Sequence, residues 1–149
     1  GDGMVETRGR SGQAWDLGVS SAGNVSTFLC RPPNPVLMPD AEPGYEVQQS
    51  CSGSNSAVDG RTTSRGPSTF VGEETLVIGG TEVTALHLSN ERVLTGGQEG
   101  DERTDTWFRA DGLLVRYERD IEVRTASPVG AITYTEAGYF ELTDLLPQT

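Results

Sequence analysis

The chain contains no lysine. All 11 of its basic residues are arginine, set against 22 acidic residues, for a formal net charge of -11. That balance argues against nucleic acid as a partner and against direct binding to an anionic membrane surface, since either would be repelled. The missing lysine also fits a GC-rich coding bias, which has no bearing on fold. There is one histidine, there are two cysteines, and no apolar run approaches the roughly 20 residues that cross a bilayer as a helix. A single His, with Cys30 and Cys51 spaced for neither a zinc site nor a Cys-x-x-Cys redox pair, means that a metal site would have to be built from carboxylates, and no cofactor is expected. No Gly-x-Ser-x-Gly elbow accompanies the one candidate base, which argues against serine-hydrolase chemistry, and no catalytic residue is assigned.

A sustained helical period is also missing. What the chain has instead is 19 Gly, 8 Pro and alternating segments, the composition of many short strands joined by turns. Its 149 residues read as one domain, 1–149. The clearest stretch is Leu113 to Thr125. Taken two residues at a time it puts Leu113, Val115, Tyr117, Arg119, Ile121, Val123 and Thr125 on one face, and Leu114, Arg116, Glu118, Asp120, Glu122 and Arg124 on the other. At about 3.3 Å per residue such a strand runs roughly 40 Å, so it is expected to bend, bulge or coil around a core. The fold class that follows is all-β: a single strongly curved antiparallel meander, half-barrel or open barrel-like, with no substantial helix.

The rest of the chain is read around that strand. Gly1-Asp2-Gly3 before Met4 to Thr7 resembles the second half of a hairpin, which would make the domain lack N-terminal strands; a tag remnant is the blander account. Gln13–Ser20 and Asn24–Cys30 pair as a hairpin. Arg31–Gly44 holds five of the eight prolines and is expected to lie over the surface, with Val36, Leu37 and Met38 covering the core. Strands are expected at Tyr45–Ser52, Ala57–Arg65, Pro67–Ile78 and Glu82–Leu94, the last one central and bulged near Ser89 and Asn90. Gly79-Gly80 and Ala110-Asp111-Gly112 suit tight turns. Gly96–Glu102 reads as an acidic loop, and Val129–Glu136 with Tyr139–Leu146 as a last hairpin around Ala137-Gly138.

Cys30 and Cys51 each end a strand-like run, with the proline-rich excursion between them. A disulfide is the simplest reading, and it implies an oxidising, extracytoplasmic setting; two buried free thiols are the alternative. No leader or lipid-attachment cysteine stands at the start, so the leader that export demands is expected to have been removed or to lie outside these residues.

Each candidate for chemistry has a plainer counterpart. His87 lies between Leu86 and Leu88, and a structural histidine is preferred to a ligand or base. Glu118, Asp120 and Glu122 have glycosidase-like spacing, yet alternate with Arg116 and Arg124 on a face expected to be solvated. Glu99, Asp101, Glu102 and Asp105 could supply oxygens to Ca²⁺, although their order does not match the EF-hand loop and an acidic solvated turn is the preferred reading. Arg119 interrupts an apolar face between Tyr117 and Ile121. Either a bulge or snorkelling turns it outward, the preferred reading, or it lies on the concave side, bonded to an internal carboxylate or awaiting an anionic headgroup. The residues proposed to touch a ligand are Arg119, Tyr117, His87 and Trp107.

From Cys30 onward the sequence resembles a group of secreted or membrane-anchored actinobacterial β-domain proteins. The resemblance is carried by Phe28-Leu29-Cys30, Ser50-Cys51-Ser52-Gly53, Val71-Gly72-Glu73-Glu74-Thr75, Val77-Ile78-Gly79-Gly80, Thr106-Trp107-Phe108, Gly112-Leu113-Leu114-Val115-Arg116 and Leu142-Thr143-Asp144-Leu145-Leu146-Pro147. The run from Trp107-Phe108 through Gly112-Leu113 to Arg116 is also similar to bacterial periplasmic half-barrel domains, whose relatives include carriers of lipids and lipoproteins. These resemblances imply a non-enzymatic, extracytoplasmic domain that binds an apolar or amphiphilic envelope component, such as a lipid, on its concave face. A structural or protein-interaction module that engages an envelope protein is the second expectation, and a small glycan-active enzyme the third. An unfilled apolar pocket would favour the first, an exposed apolar patch the second, and converging carboxylates the third.

Overall fold

The computed structural model describes residues 3–8, 14–19, 25–32, 41–56 and 58–145, with side chains from Thr27 onward apart from Ser127. Among them, nine strands form one antiparallel sheet: β1 Gly3–Arg8, β2 Ala14–Val19, β3 Val25–Arg31, β4 Glu46–Asn55, β5 Thr62–Ile78, β6 Thr81–Gly96, β7 Gln98–Arg109, β8 Leu114–Ser127 and β9 Gly130–Glu141. Each strand pairs with the next in sequence, and β1 and β9 stand at the two ends of the order. The sheet is therefore an open meander, not a closed barrel, and the described residues hold no helix. The all-β expectation is met.

Local chemistry explains the turns. Gly79 and Gly80 both take positive φ, +57° and +80°, which a two-residue hairpin turn between right-twisted strands requires. Gly112, at +93°, serves the turn into β8 in the same way.

Antiparallel partners share a face, so the register defines two sides of the sheet. On one side Phe70, Leu88, Thr106, Tyr117 and Phe140 form a row across β5 to β9. On the other, Gly72, His87, Trp107, Arg116 and Glu141 do the same. The Tyr117 face carries one cluster of Phe70, Leu86, Leu88 and Phe108, backed by Ala41 and Leu114, and a second of Leu94, Ile121 and Val123. The His87 face carries Ile78, Val83, Ala85, Trp107 and Val115, covered by Leu113, Leu142 and Leu145. Strand β6 is thus buried on both sides. Ile78 and Val115 are fully enclosed, a burial that contributes roughly 1.5–3 kcal/mol for each.

Several sequence expectations need correction. The long strand does not keep one face: Trp107 pairs with Arg116 but Phe108 pairs with Leu114, so a bulge leaves Val115 unmatched and packs it with the His87-face core. Beyond the bulge Tyr117, Arg119, Ile121 and Val123 follow the expected alternation. The irregularity expected at Ser89 and Asn90 falls instead on the neighbouring strand, between Phe70 and Gly72. Gly96–Glu102 is not a loop, because β6 and β7 meet in a tight turn and β7 begins at Gln98. Ala137-Gly138 makes no hairpin and lies inside a continuous β9, which pairs with β8 from Gly130 to Glu141 without a register shift.

Pro67 interrupts less than expected. β5 runs straight through Gly66-Pro67, where the ladder to β6 lapses. A Cβ at Gly66 would sit 2.0 Å from the Glu91 carbonyl oxygen, so only glycine allows that approach. Arg92 Nη1 bonds the Pro67 carbonyl at 2.6 Å, satisfying an acceptor the ladder leaves open. The expected cover by Val36, Leu37 and Met38 lies outside the described residues. Nearby, Ala41 packs on the Tyr117-face core and Gly44 N–H donates to the Phe70 carbonyl at 2.7 Å.

Candidate functional site

The four residues proposed to meet a ligand do not share a site. Tyr117 and Arg119 lie on one face of the sheet, His87 and Trp107 on the other. They form two separate polar clusters.

On the Tyr117 face, Arg119 projects between the two apolar clusters. Its Nε donates to Glu102 Oε1 at 3.1 Å, and Nη1 lies 3.9 Å from Glu136 Oε2. All three side chains are about one-quarter exposed, with relative exposures of 27%, 25% and 27%. Burial by itself would lower the Arg119 pKa, but Glu102, Tyr117 and Glu136 outweigh it and hold the guanidinium above the ordinary arginine value. Burial likewise pushes the Tyr117 phenol up, against the opposing pull of Arg119. The pairing with an internal carboxylate makes a cation on this face tolerable.

Sequence reasoning missed a second guanidinium on the same face, Arg92. Besides Pro67 it bonds Ser68 Oγ at 2.8 Å and Gln49 Oε1, and Gln49 Nε2 in turn bonds the Pro32 carbonyl at 2.9 Å. This network ties β4, β5 and β6 together and consumes the donors of Arg92. Gly66-Pro67 within a strand-like run was the available signal that something else must satisfy the backbone there.

On the opposite face, His87 Nδ1 lies 2.8 Å from Glu74 Oε1 and Nε2 lies 2.7 Å from Asp105 Oδ1. Trp107 stacks on the imidazole and donates Nε1–H to Glu74 Oε2 at 2.8 Å. Arg103 Nε donates to the other Asp105 oxygen at 2.9 Å. Burial raises the Asp105 pKa, and hydrogen bonds from Arg103 and His87 more than offset it, leaving the carboxyl below the usual aspartate value. With both ring nitrogens engaged, His87 offers no free nitrogen to a substrate. The Arg116 guanidinium carbon stands 4.7 Å from the Trp107 ring centroid and 5.3 Å from that of Tyr139. Its Nε is buried without a hydrogen-bond partner among the described residues, facing those rings instead of an acceptor.

The acidic candidates are dispersed by strand geometry. Glu99, Asp101 and Asp105 share the His87 face while Glu102 is on the other, and no His, Cys, Asp or Glu cluster among the described residues is placed to hold a metal ion. Glu118 pairs with Arg116, and Asp120 and Glu122 line an open depression of about 440 Å³ that also contains Arg65 and Arg103. A second depression, about 460 Å³, is lined by Glu73, Val83, Leu86, Arg109 and Leu145. Neither contains Arg119 or Tyr117.

Cys30 and Cys51 are directly opposed on β3 and β4, buried, and joined by a disulfide.

The most exposed apolar surface among the described residues lies on β9 and the turn that leads into it. Val129 is 92% exposed, and Ile132, Tyr134, Tyr139 and Phe140 are each between 45% and 63%. Leu142 N–H donates to the Val115 carbonyl, and by the antiparallel alternation even-numbered residues of β9 bond β8 while Ala131, Thr133, Thr135, Ala137, Tyr139 and Glu141 turn their N–H and C=O outward. No strand among the described residues pairs with that outer edge.

Comparison with protein-family models, curated proteins and solved structures gave no match.

Proposed function

We propose that this chain is a non-enzymatic, extracytoplasmic β-domain that works as a protein-interaction module, accepting a strand from another polypeptide along the outer edge of β9. The observation that carries the reading is the 12-residue outer edge of β9, which no strand among the described residues covers and which carries exposed Ile132, Tyr134, Tyr139 and Phe140. Sheet edges are ordinarily blunted by a bulge, a proline, charged side chains or a very short strand; β9 is long and has no bulge, proline or lysine, and its charges are Glu136, which Arg119 of the same chain holds, and Glu141 at its end. A strand added there gains main-chain hydrogen bonds and covers aromatic side chains, the mode of β-augmentation. The buried disulfide supports an oxidising location outside the cytoplasm. The resemblance to secreted actinobacterial domains supports the cell envelope as that location. Binding of the purified chain to envelope membranes of its host tests the reading: saturable binding lost in Ala137→Pro, which removes one outward N–H, is the expected result. Binding unaffected by that change counts against it.

A second reading, capture of an amphiphile, rests on Arg119 and Tyr117 between two apolar clusters. Native mass spectrometry of protein from its host, with a co-purifying acidic lipid, supports it. Its weakness is that Arg119 lines neither of the two depressions described above, although its partner Glu102 lines one of them.

A further inference from the structure

We propose that the strand completing the β9 edge is β9 of a second copy of this chain, paired antiparallel about a two-fold axis at Ala137. This rests on the edge-pairing reading above and names its partner.

Backbone parity restricts the choice. Only odd-numbered residues of β9 offer outward N–H and C=O, so hydrogen-bonded pairs must join odd to odd, and a central two-fold can sit at Thr135, Glu136 or Ala137. A centre at Glu136 sets one carboxylate against its own copy, which is destabilising. A centre at Thr135 places Glu136 against the partner's Tyr134 and Gly138 against the partner's Ile132, pairing neither charge nor aromatic ring. The centre at Ala137 sets Tyr134 against the partner's Phe140, Thr135 against the partner's Tyr139 and Glu136 against the partner's Gly138, with no like charges directly opposed.

Two features of the single chain point to the same register. The Tyr117-face rows of Leu94, Gly100 and Val123 and of Leu88, Thr106 and Tyr117 end in Tyr134 and Phe140, half-exposed at the sheet margin. Pairing about Ala137 joins the end of each row to the end of the other row in the second copy. The other feature is Gly138. Its φ is not positive, and among the described residues a Cβ there would meet nothing closer than Glu136 Oε1 at 3.6 Å, so no contact among them requires glycine in mid-strand. Gly138 lies directly opposite Arg119 on β8. The missing side chain opens a path by which Arg119 reaches across β9 to the partner's Glu136, while keeping Glu102 in its own chain.

Pairing from Thr133 to Glu141 forms about ten backbone hydrogen bonds. Each copy carries a net charge of -11, so the copies repel at long range and salt should strengthen the dimer. Sedimentation equilibrium over roughly a hundredfold range of concentration, at low and moderate salt, tests this on the intact chain. The expected result is a reversible dimer, tighter with salt and at least tenfold weaker in Ala137→Pro and, independently, in Thr135→Pro, each checked for native circular dichroism. Oxidising a mixture of Glu136→Cys and Gly138→Cys chains should give a crosslinked heterodimer, while Glu136→Cys alone should not crosslink. A monomer at every concentration overturns the inference; if envelope binding is still lost in Ala137→Pro, the partner strand is another protein and the edge-pairing reading stands. A dimer in which Glu136→Cys crosslinks to itself overturns the register. A dimer indifferent to both proline variants overturns the interface.

Discussion

His87 and Trp107 face each other across β6 and β7 with ring centroids 4.2 Å apart and planes 16° from parallel. Around this stack Glu74 bonds both rings, and Asp105 closes the far side of the imidazole. A neutral imidazole has one donor and two carboxylates can only accept, so making both bonds requires a proton on the second nitrogen or on one carboxyl. The arrangement holds β5, β6 and β7 together through side chains as well as backbone. Replacing His87 with Phe keeps the stack and leaves one oxygen of each carboxylate without its partner, while Trp107 still bonds Glu74 and Arg103 still bonds Asp105, a loss of about 1–3 kcal/mol. Urea unfolding checks it, and a midpoint equal to that of the parent would remove this cluster as a stabilising element.

Asp105 makes the acid side of the stability profile informative. Its folded pKa lies below the ordinary aspartate value of 3.8, so its contribution is present above that value and is lost as the pH falls through the folded one. The groups facing it are His87, Arg103 and, across the ladder on β8, Glu118. Asp111, held to about 2 by Arg109, adds the same sign from an exposed position. The urea midpoint should therefore drop below about pH 4, and Asp105→Asn should flatten that slope while lowering stability at neutral pH. An unchanged acid slope in the variant would refute the assignment.

Arg119 separates the two functional readings. Arg119→Met leaves Glu102 and Glu136 without their shared cation but near solvent, so the expected loss is only about 1 kcal/mol. If the amphiphile reading holds, the variant stops binding an acidic detergent or lipid with its fold intact, as tested by titration calorimetry. Equal binding by parent and variant retires Arg119 as a ligand residue.

The disulfide closes a loop with a sequence separation of 21, which in the chain-entropy account contributes about 3 kcal/mol. The double variant Cys30→Ala, Cys51→Ala should fall in stability by roughly that amount, plus whatever the buried side chains lose in packing. Thiol titration of the unfolded, unreduced protein should find none. Two reactive thiols per chain would remove the main support for an oxidising location.

How far the sequence could be read depended on the range of each interaction. Strand alternation from Tyr117 to Thr125, the Gly79-Gly80 turn and the meeting of Cys30 with Cys51 all rest on local pattern or on neighbouring strands, and they are legible. Pro67 misled because propensity speaks of a proline's missing donor and not of Arg92, which arrives from β6 to satisfy its carbonyl. Ala137-Gly138 misled because small residues mark a turn by composition alone, and only the uninterrupted pairing of β8 with β9 keeps them extended.

The sequence by itself determined that this is an all-β chain of hairpins tied by one disulfide, because period-two alternation and turn glycines act over a few residues. The tertiary structure alone decided which face each side chain meets. One unmatched residue at Val115 sends it to the opposite core, and the same pleat separates His87 and Trp107 from Tyr117 and Arg119. A strand has two sides and a period of exactly two, so a single-residue shift inverts the assignment and no local pattern reveals where that shift falls. The open margin at β9 is likewise a property of the assembled sheet, since a strand becomes an edge only through what does or does not lie beside it.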